Sequence, residues 1–219
     1  MQPTYLSIRT YLESLSVTLI AVSKTRPVEA LMELYTAGQR DFAENRVQEM
    51  RDKQAVMPGD IRWHMIGHLQ RNKVKYIAPW IHMIHSVDNL ALLEEINRQA
   101  AKAGRVIPCL LQICIAAEET KFGLYAEELH ALLQSSTFQA MRHVRICGLM
   151  GMATNTDNLE QVRREFKHLK SLFDMVQAQY FPGDPNYRHI SMGMSSDYRI
   201  AVEEGSTMVR IGSLLFNKA

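Results

Sequence analysis

The chain has 219 residues, with 25 Lys and Arg against 23 Asp and Glu and a formal net charge of +2. A composition of 47% apolar and 22% charged residues excludes disorder, a collagen-like repeat and a disulfide scaffold, and the length is that of one domain with a full core. A charge so close to balance gives no general electrostatic case for nucleic acid or an anionic membrane as the partner.

Residues 1–17 read as a short helical lead, without the basic region and unbroken apolar stretch of a secretory signal. After it, apolar or β-branched runs alternate with amphipathic stretches. The runs predict strands at Thr18 to Lys24, Arg40 to Glu44, Arg62 to Gly67, Met83 to Val87, Val106 to Ile115, Val144 to Met152, His189 to Gly193 and Thr207 to Gly212. Helical spacing recurs between them: Val28, Leu31 and Tyr35, then Leu90, Leu93, Asn97 and Ala100, then Leu129, Leu132 and Leu133. It is clearest at Leu159, Val162, Phe166, Leu169, Phe173 and Val176. The most apolar run, Cys109 to Ala117, is broken by Gln112 and falls far short of the roughly 20 residues a membrane-spanning helix needs.

Strand and helix alternating without hairpin turns require parallel strands, because neighbouring parallel strands need a crossover. Eight such units predict an α/β fold, a single (β/α)8 TIM-type barrel over residues 1–219. The competing architecture, an open doubly wound sheet, usually carries a glycine-rich turn after its first strand. Here that position reads Ser23-Lys24-Thr25-Arg26-Pro27. Cys109, Cys114 and Cys147 are too few and too scattered for a disulfide framework; they read as reduced, buried thiols on strands in a cytoplasmic protein.

In such a barrel the functional groups stand where strands end. Alternation along the first strand sends Val22 and Lys24 to one side, and a lysine buried at the barrel mouth would have a lowered pKa and could attack an aldehyde to form a Schiff base. The competing role is a lysine just past its strand with its head in solvent. Gly193-Met194-Ser195-Ser196-Asp197 supplies a permissive glycine, two hydroxyls and a helix start, and Gly212-Ser213 offers a second such turn on the next strand, where barrels commonly hold phosphate. A lysine at one strand end and a phosphate cradle at strands seven and eight point together to pyridoxal 5′-phosphate. Arg210, a guanidinium that keeps its proton, would hold the pyridine nitrogen of that cofactor unprotonated and weaken the ring as an electron sink.

The segments Ile20-Ala21-Val22-Ser23-Lys24-Thr25, Glu44-Asn45-Arg46-Val47-Gln48-Glu49 and Trp63-His64-Met65-Ile66-Gly67-His68-Leu69-Gln70-Arg71-Asn72-Lys73 resemble those of the pyridoxal phosphate homeostasis protein family. So do Gly148-Leu149-Met150-Gly151-Met152, Ser191-Met192-Gly193-Met194-Ser195-Ser196-Asp197 and Gly205-Ser206-Thr207-Met208-Val209-Arg210-Ile211-Gly212. The resemblance runs in order from about Leu19 to Phe216. It implies a barrel similar to the N-terminal domain of alanine racemases, with Lys24 as the Schiff-base lysine, Ser195, Gly212 and Ser213 on the phosphate and Arg210 at the pyridine nitrogen. Asn45, His64, Met150 and Ser191 would line the surroundings. It also implies a non-catalytic handler of vitamin B6 that influences amino-acid and keto-acid pools, with pyridoxal phosphate and cofactor-receiving apo-enzymes as partners, no nucleic acid or membrane, and a monomer with dimerisation left open. Three departures stand out: Ala43 in place of a usual Gly, a short N-terminal lead, and Phe216-Asn217-Lys218-Ala219 without the usual glycine after Phe.

An amino-acid racemase of alanine racemase type is the enzymatic alternative. It needs a second acid/base on the cofactor face opposite Lys24, which in alanine racemases comes from an added β-domain of the partner subunit. Eight strand–helix units use up this chain and leave no room for that domain, and His64 and Tyr198 are the stand-ins. A metal hydrolase is a third class, prompted by His64 and His68 four residues apart, but the Glu of an H-E-x-x-H helix is missing. Arg71, Lys73 and Lys75 form a basic cluster that is either a solvated face or a phosphate contact near the barrel mouth. The 13 methionines mostly fill the core.

Overall fold

A computed structural model of the chain describes residues 3–116 and 122–216. Ala117, at the end of the apolar run, and residues 217–219, which carry the C-terminal departure, lie outside the described residues. Eight parallel strands close into a barrel in chain order: β1 (Thr18–Val22), β2 (Asp41–Glu44), β3 (Arg62–Met65), β4 (Met83–Val87), β5 (Ile107–Ile113), β6 (Val144–Gly151), β7 (His189–Ser191) and β8 (Met208–Ile211). Closure is made by β1 against β8, with Thr18 paired to Met208 and Ala21 to Ile211.

Period-two alternation sorts each strand into two faces. Ile20, Val22, Ala43, Met83, Leu110, Cys147, Met150 and Met208 form an apolar cluster inside the barrel. Their neighbours Ala21, Phe42, Ile84, Leu111, Leu149 and Val209 face outward into the larger core under the helices. Ala43, where the family resemblance leads one to expect Gly, is fully buried in the inner cluster, so its methyl is used as packing.

The crossovers are α2 (Val28–Thr36), α3 (Val47–Gln54), a 3₁₀ helix (Arg71–Tyr76), α4 (Leu90–Lys102), α5 (Ala126–Gln134) with α6 (Ser136–Ala140), α7 (Leu159–Tyr180), α8 (Tyr198–Glu203) and a last short α9 (Ser213–Phe216). The lead forms α1 (Pro3–Ser14), which buries Tyr5, Ile8 and Leu12 and packs against β1 and α9. Its Arg9 donates to the carbonyl of Ala37 at 2.7 Å and ties the helix to the turn after α2.

Three details differ from the sequence reading. The crossover after β3 is a six-residue 3₁₀ helix. In α4 the buried stripe is Leu92, Leu93, Ile96 and Ala100, which keeps Leu93 and Ala100 of the expected face, and the Asn89 side chain caps the helix on the amide of Leu92. The side-chain Oδ1 of Asn97 instead accepts from the amides of Arg142 and His143. In α7, Leu159 is exposed and Leu172 takes its place in the stripe.

Strand β6 carries an extra residue opposite β5: Cys109 pairs with Ile146, and the next residue, Leu110, pairs with Gly148. Gly148 sits at φ +146°, and a Cβ there would fall 1.8 Å from the carbonyl oxygen of His189. Cys109 and Cys147 are buried on strands, and burial raises both thiols, Cys109 well above the usual range; Cys114 lies just beyond β5 and is partly exposed. Among the described residues no helix is long and apolar enough to cross a membrane.

Candidate functional site

At the C-terminal end of the barrel the chain opens a cavity of about 430 Å³, lined by Lys24, Asn45, Ser195, Ser196, Arg210, Gly212 and Ser213, with Val22, Ile66, Met152 and Met194 as apolar walls. Lys24 stands two residues beyond β1, on the side that alternation assigns it. It is exposed, which selects the lysine just past its strand over the buried amine: β1 ends at Val22, so the lysine has left the sheet.

The backbone that presents Lys24 is held firmly. Ser23 is fully buried; its amide donates to the carbonyl of Ala43 at 2.9 Å, its hydroxyl to Glu44 Oε1 at 2.6 Å, and its carbonyl accepts from Lys53 Nζ at 2.7 Å. Lys53 and Glu44 form a buried ion pair at 2.6 Å behind the strand end. Burial raises the Glu44 carboxyl above its ordinary range while Lys53 and Ser23 pull it down. On the other side, Thr25 adopts φ +62°, a left-handed conformation uncommon outside glycine, and its amide donates to Glu49 Oε1 at 2.6 Å.

Across the mouth, Gly193 takes φ +95°; a Cβ there would come 2.6 Å from that of Ala201, so glycine is required for α8 to dock. Gly193 O accepts from the amide of Arg210, and Ser195 Oγ accepts from the amide of Gly212 at 3.4 Å, which joins the two turns. A Cβ on Gly212 would sit 3.1 Å from Val22 O. Among the described residues, no hydrogen bond is donated by the backbone amides of Ser195, Ser196 or Ser213. These amides and hydroxyls form a cradle of donors suited to an anion.

Arg210 lies on the cavity floor, 3% exposed, donating from Nη1 to Ser191 Oγ at 2.7 Å and from Nη2 to Gly151 O at 3.1 Å. Burial pulls it down to about 10, with Asp197 opposing, so it remains cationic at neutral pH. Ser191 then meets His85 Nδ1 at 2.9 Å, His85 Nε2 meets His64 Nδ1 at 2.9 Å, and His64 Nε2 meets Asp41 Oδ1 at 3.1 Å. Arg62 closes the chain on both oxygens of Asp41, at 2.7 and 2.5 Å.

One assignment of hydrogens satisfies every link: Arg210 donates to Ser191, Ser191 to His85, His85 to His64, and His64 to the carboxylate. A protonated His64 would reverse the middle links and leave the Ser191 hydroxyl facing two donors. Burial holds His85 well below its ordinary range, consistent with the neutral ring. Asp41 would be raised by burial, but hydrogen bonds from Arg62 and His64 outweigh it and hold the carboxyl well below the usual range.

Of the residues expected at the site, Lys24, Asn45, Ser195, Arg210, Gly212 and Ser213 line one cavity. His64, Ser191 and Met150 do not. They lie deeper in the barrel, His64 and Ser191 in the chain beneath Arg210 and Met150 in the inner apolar cluster, because strand alternation sets them below the rim. His68 does not join His64: it turns to Asp88 at 3.0 Å and stacks on Phe122. Asp41, His64 and His82 offer atoms within 4.8 Å of one another, yet both oxygens of Asp41 are already taken by Arg62. Tyr198 packs on Tyr11 and does not line the cavity. The sequence reading missed Ile66, Met152, Asp41 and His85. The last two were available from the alternation that places Asp41, His64 and His85 inward on successive strands.

The family model described as the alanine racemase N-terminal domain matches residues 4–218. The pyridoxal phosphate homeostasis protein of Aquifex aeolicus (strain VF5) is 41% identical over 201 residues, which cover 91% of this chain and 86% of that one. The chain belongs to the pyridoxal phosphate homeostasis protein family. The homeostasis protein of Schizosaccharomyces pombe is 37% identical over 92% of this chain and 84% of its own. Among solved structures, PipY of Synechococcus elongatus PCC7942 with PLP bound superposes with a TM-score of 0.86 at 37% identity, covering 98% of each chain. Alanine racemase of Bartonella henselae, at 16% identity and a TM-score of 0.72, shares the fold; this chain covers 59% of it.

Proposed function

We propose that the protein binds pyridoxal 5′-phosphate at the C-terminal mouth of the barrel, with Lys24 as the residue that holds it as a Schiff base, and that it serves cofactor homeostasis without turnover. The observation that carries this reading is one cavity with Lys24 on one wall, the Ser195, Gly212 and Ser213 donors on another, and the Arg210 cation on the floor. These residues fit the cofactor. A phosphate takes the unpaired amides and hydroxyls, a pyridine nitrogen accepts from Arg210, and the lysine at the rim is free to reach an aldehyde. The bound cofactor contributes an electrophilic carbonyl and an electron-withdrawing ring; the protein contributes the amine, the anion cradle and a fixed positive charge.

Asn45 flanks the ring, and His64 and Ser191 act through Arg210. Met150 packs beneath. Turnover is disfavoured because, among the described residues lining the cavity, the ionisable side chains are Lys24 and Arg210, and neither is a second acid/base facing the lysine. An exposed Lys24 suits exchange of cofactor with cytoplasmic apo-enzymes, and through them an influence on amino-acid and keto-acid pools. Borohydride reduction followed by peptide mapping tests the reading. A pyridoxyl label on Lys24, and loss of the long-wavelength absorbance in Lys24→Ala, are expected; a label on another lysine with absorbance unchanged in the variant refutes it. Exchange of the α-hydrogen of L-alanine in deuterated water well above that with free cofactor would instead make it a racemase.

A further inference from the structure

Beside the cofactor cavity lies a second one of about 360 Å³, between the β2–α3 turn and the 3₁₀ helix. Asn45 lines both cavities, so they share a wall at this residue. That wall is built closely: a Cβ on Gly67 would fall 2.3 Å from Asn45 O, and Ser86 Oγ donates to Gly67 O at 2.6 Å to hold the strand end in place.

The second cavity is cationic. Arg46, Arg51 and Lys73 line it, and among the described residues no Asp or Glu does. None of the three has a carboxylate partner among the described residues. The acidic side chains nearby in sequence are engaged elsewhere: Glu49 with Thr25 and Lys53, and Asp52 with Gln48. Three like charges brought to one concavity repel each other and focus a positive potential there, which an anion relieves. The first turn of α3, which no side chain caps, adds donors on the same side. The floor is aromatic and apolar, formed by Tyr76 and Met65, with the Arg51 guanidinium 4.8 Å from the Tyr76 ring centroid.

We propose that this pocket is a second binding site for a phosphorylated pyridine, with Arg46, Arg51 and Lys73 on the phosphate and Tyr76 and Met65 against the ring. Its volume approaches that of the first cavity, and the shared Asn45 makes the two sites neighbours. A vitamer can therefore wait beside an occupied Lys24 and move across the rim when that site empties. The basic cluster read from the sequence as Arg71, Lys73 and Lys75 thus contributes Lys73 to the pocket. The anion site stands on the cavity and its charges; the choice of a pyridine ligand rests on the proposed function.

The test uses protein reduced with borohydride in the presence of pyridoxal 5′-phosphate and freed of excess cofactor. It is titrated calorimetrically with pyridoxine 5′-phosphate, which has no aldehyde and cannot condense with a lysine. One further equivalent is expected to bind, and Arg51→Gln with Lys73→Gln to weaken it at least tenfold; both side chains are exposed, so the variant keeps its fold. Absence of the second equivalent, unchanged affinity in the double variant, or equally tight binding of unphosphorylated pyridoxine overturns the proposal. Peptide mapping of the same sample reports Lys24 separately. Arg51 and Lys73 do not line the first cavity, so failure of the Lys24 assignment and failure of the second site give different results.

Discussion

The guanidinium of Arg210 donates to the hydroxyl of Ser191 at 2.7 Å, and through Ser191, His85 and His64 this buried cation is connected to the carboxylate of Asp41 near the other end of the barrel. Removing the middle of such a chain leaves polar groups with neither water nor a partner. Ser191→Ala is therefore expected to cost about 1–3 kcal/mol in urea unfolding, the penalty of orphaned buried donors and acceptors. It should also shift the absorbance of bound cofactor, since Arg210 loses one of its two anchors. Stability and spectrum both equal to those of the unaltered protein would show that the chain does not hold Arg210.

Acid should weaken the fold well before the carboxylates titrate. His189 is held at about 4, mainly by burial, and His85 well below its ordinary value, again by burial. Below about pH 6.5 the unfolded chain takes up protons that the folded one refuses, so stability falls with decreasing pH from about 6.5 toward 4. Asp41, held low by Arg62 and His64, contributes stability above its ordinary value that is lost only as pH falls further, through its folded value. Glu44, raised by burial, works in the opposite sense. Denaturation midpoints at pH 7.5, 6 and 5 should decline in that order, with a shallower decline in His85→Asn. A flat series would refute it.

Lys53→Met should be more damaging than its surface neighbours suggest. It strands Glu44, whose Oε2 already has no hydrogen-bond partner, and releases the Ser23 carbonyl just before Lys24. Breaking one side of a buried pair costs about 3–5 kcal/mol. Adding Glu44→Gln should recover part of that loss, which chemical denaturation of the single and double variants would read directly.

Gly148→Ala and Gly104→Ala separate lack of space from backbone strain. Both glycines have positive φ, but a Cβ on Gly148 meets His189 O at 1.8 Å, whereas one on Gly104 meets nothing within 4 Å. The expected losses are about 3 kcal/mol or more at 148, with poor recovery of folded protein, and about 1 kcal/mol at 104. Equal melting temperatures would contradict the packing at the β6–β7 seam.

The eight strands and the inward direction of Lys24 were legible because alternation is a local property: Ile20, Val22 and Lys24 share a side whatever the rest of the chain does. The turns at Gly193 and Gly212 were legible for the same reason. What escaped depends on neighbours distant in sequence. His64 meets His85 across 21 residues, and His85 meets Ser191 across 106, so only closure of the barrel brings them together. Of the two roles open to Lys24, the structure shows the one just past the strand with its head exposed, because β1 ends at Val22. The α4 stripe was legible at Leu93 and Ala100, while Leu90 is half-buried at the first turn and Asn97 is drawn to the amides of Arg142 and His143.

The extra residue in β6 works like a change of reading frame. Ile146 faces outward and Cys147 inward; past the bulge the inward position is Met150 rather than Leu149. From Gly148 to the rim the pairing with β5 is regular again, and it places Gly151, whose carbonyl receives Arg210, and leads to Met152, which lines the mouth. Deleting Cys147 would only remove the bulge, whereas deleting Leu149, with the pairing below it kept, would exchange the two faces from there to the rim and turn Met150 toward the helices. At this strand an insertion or deletion is thus more disruptive to the site than most substitutions within it.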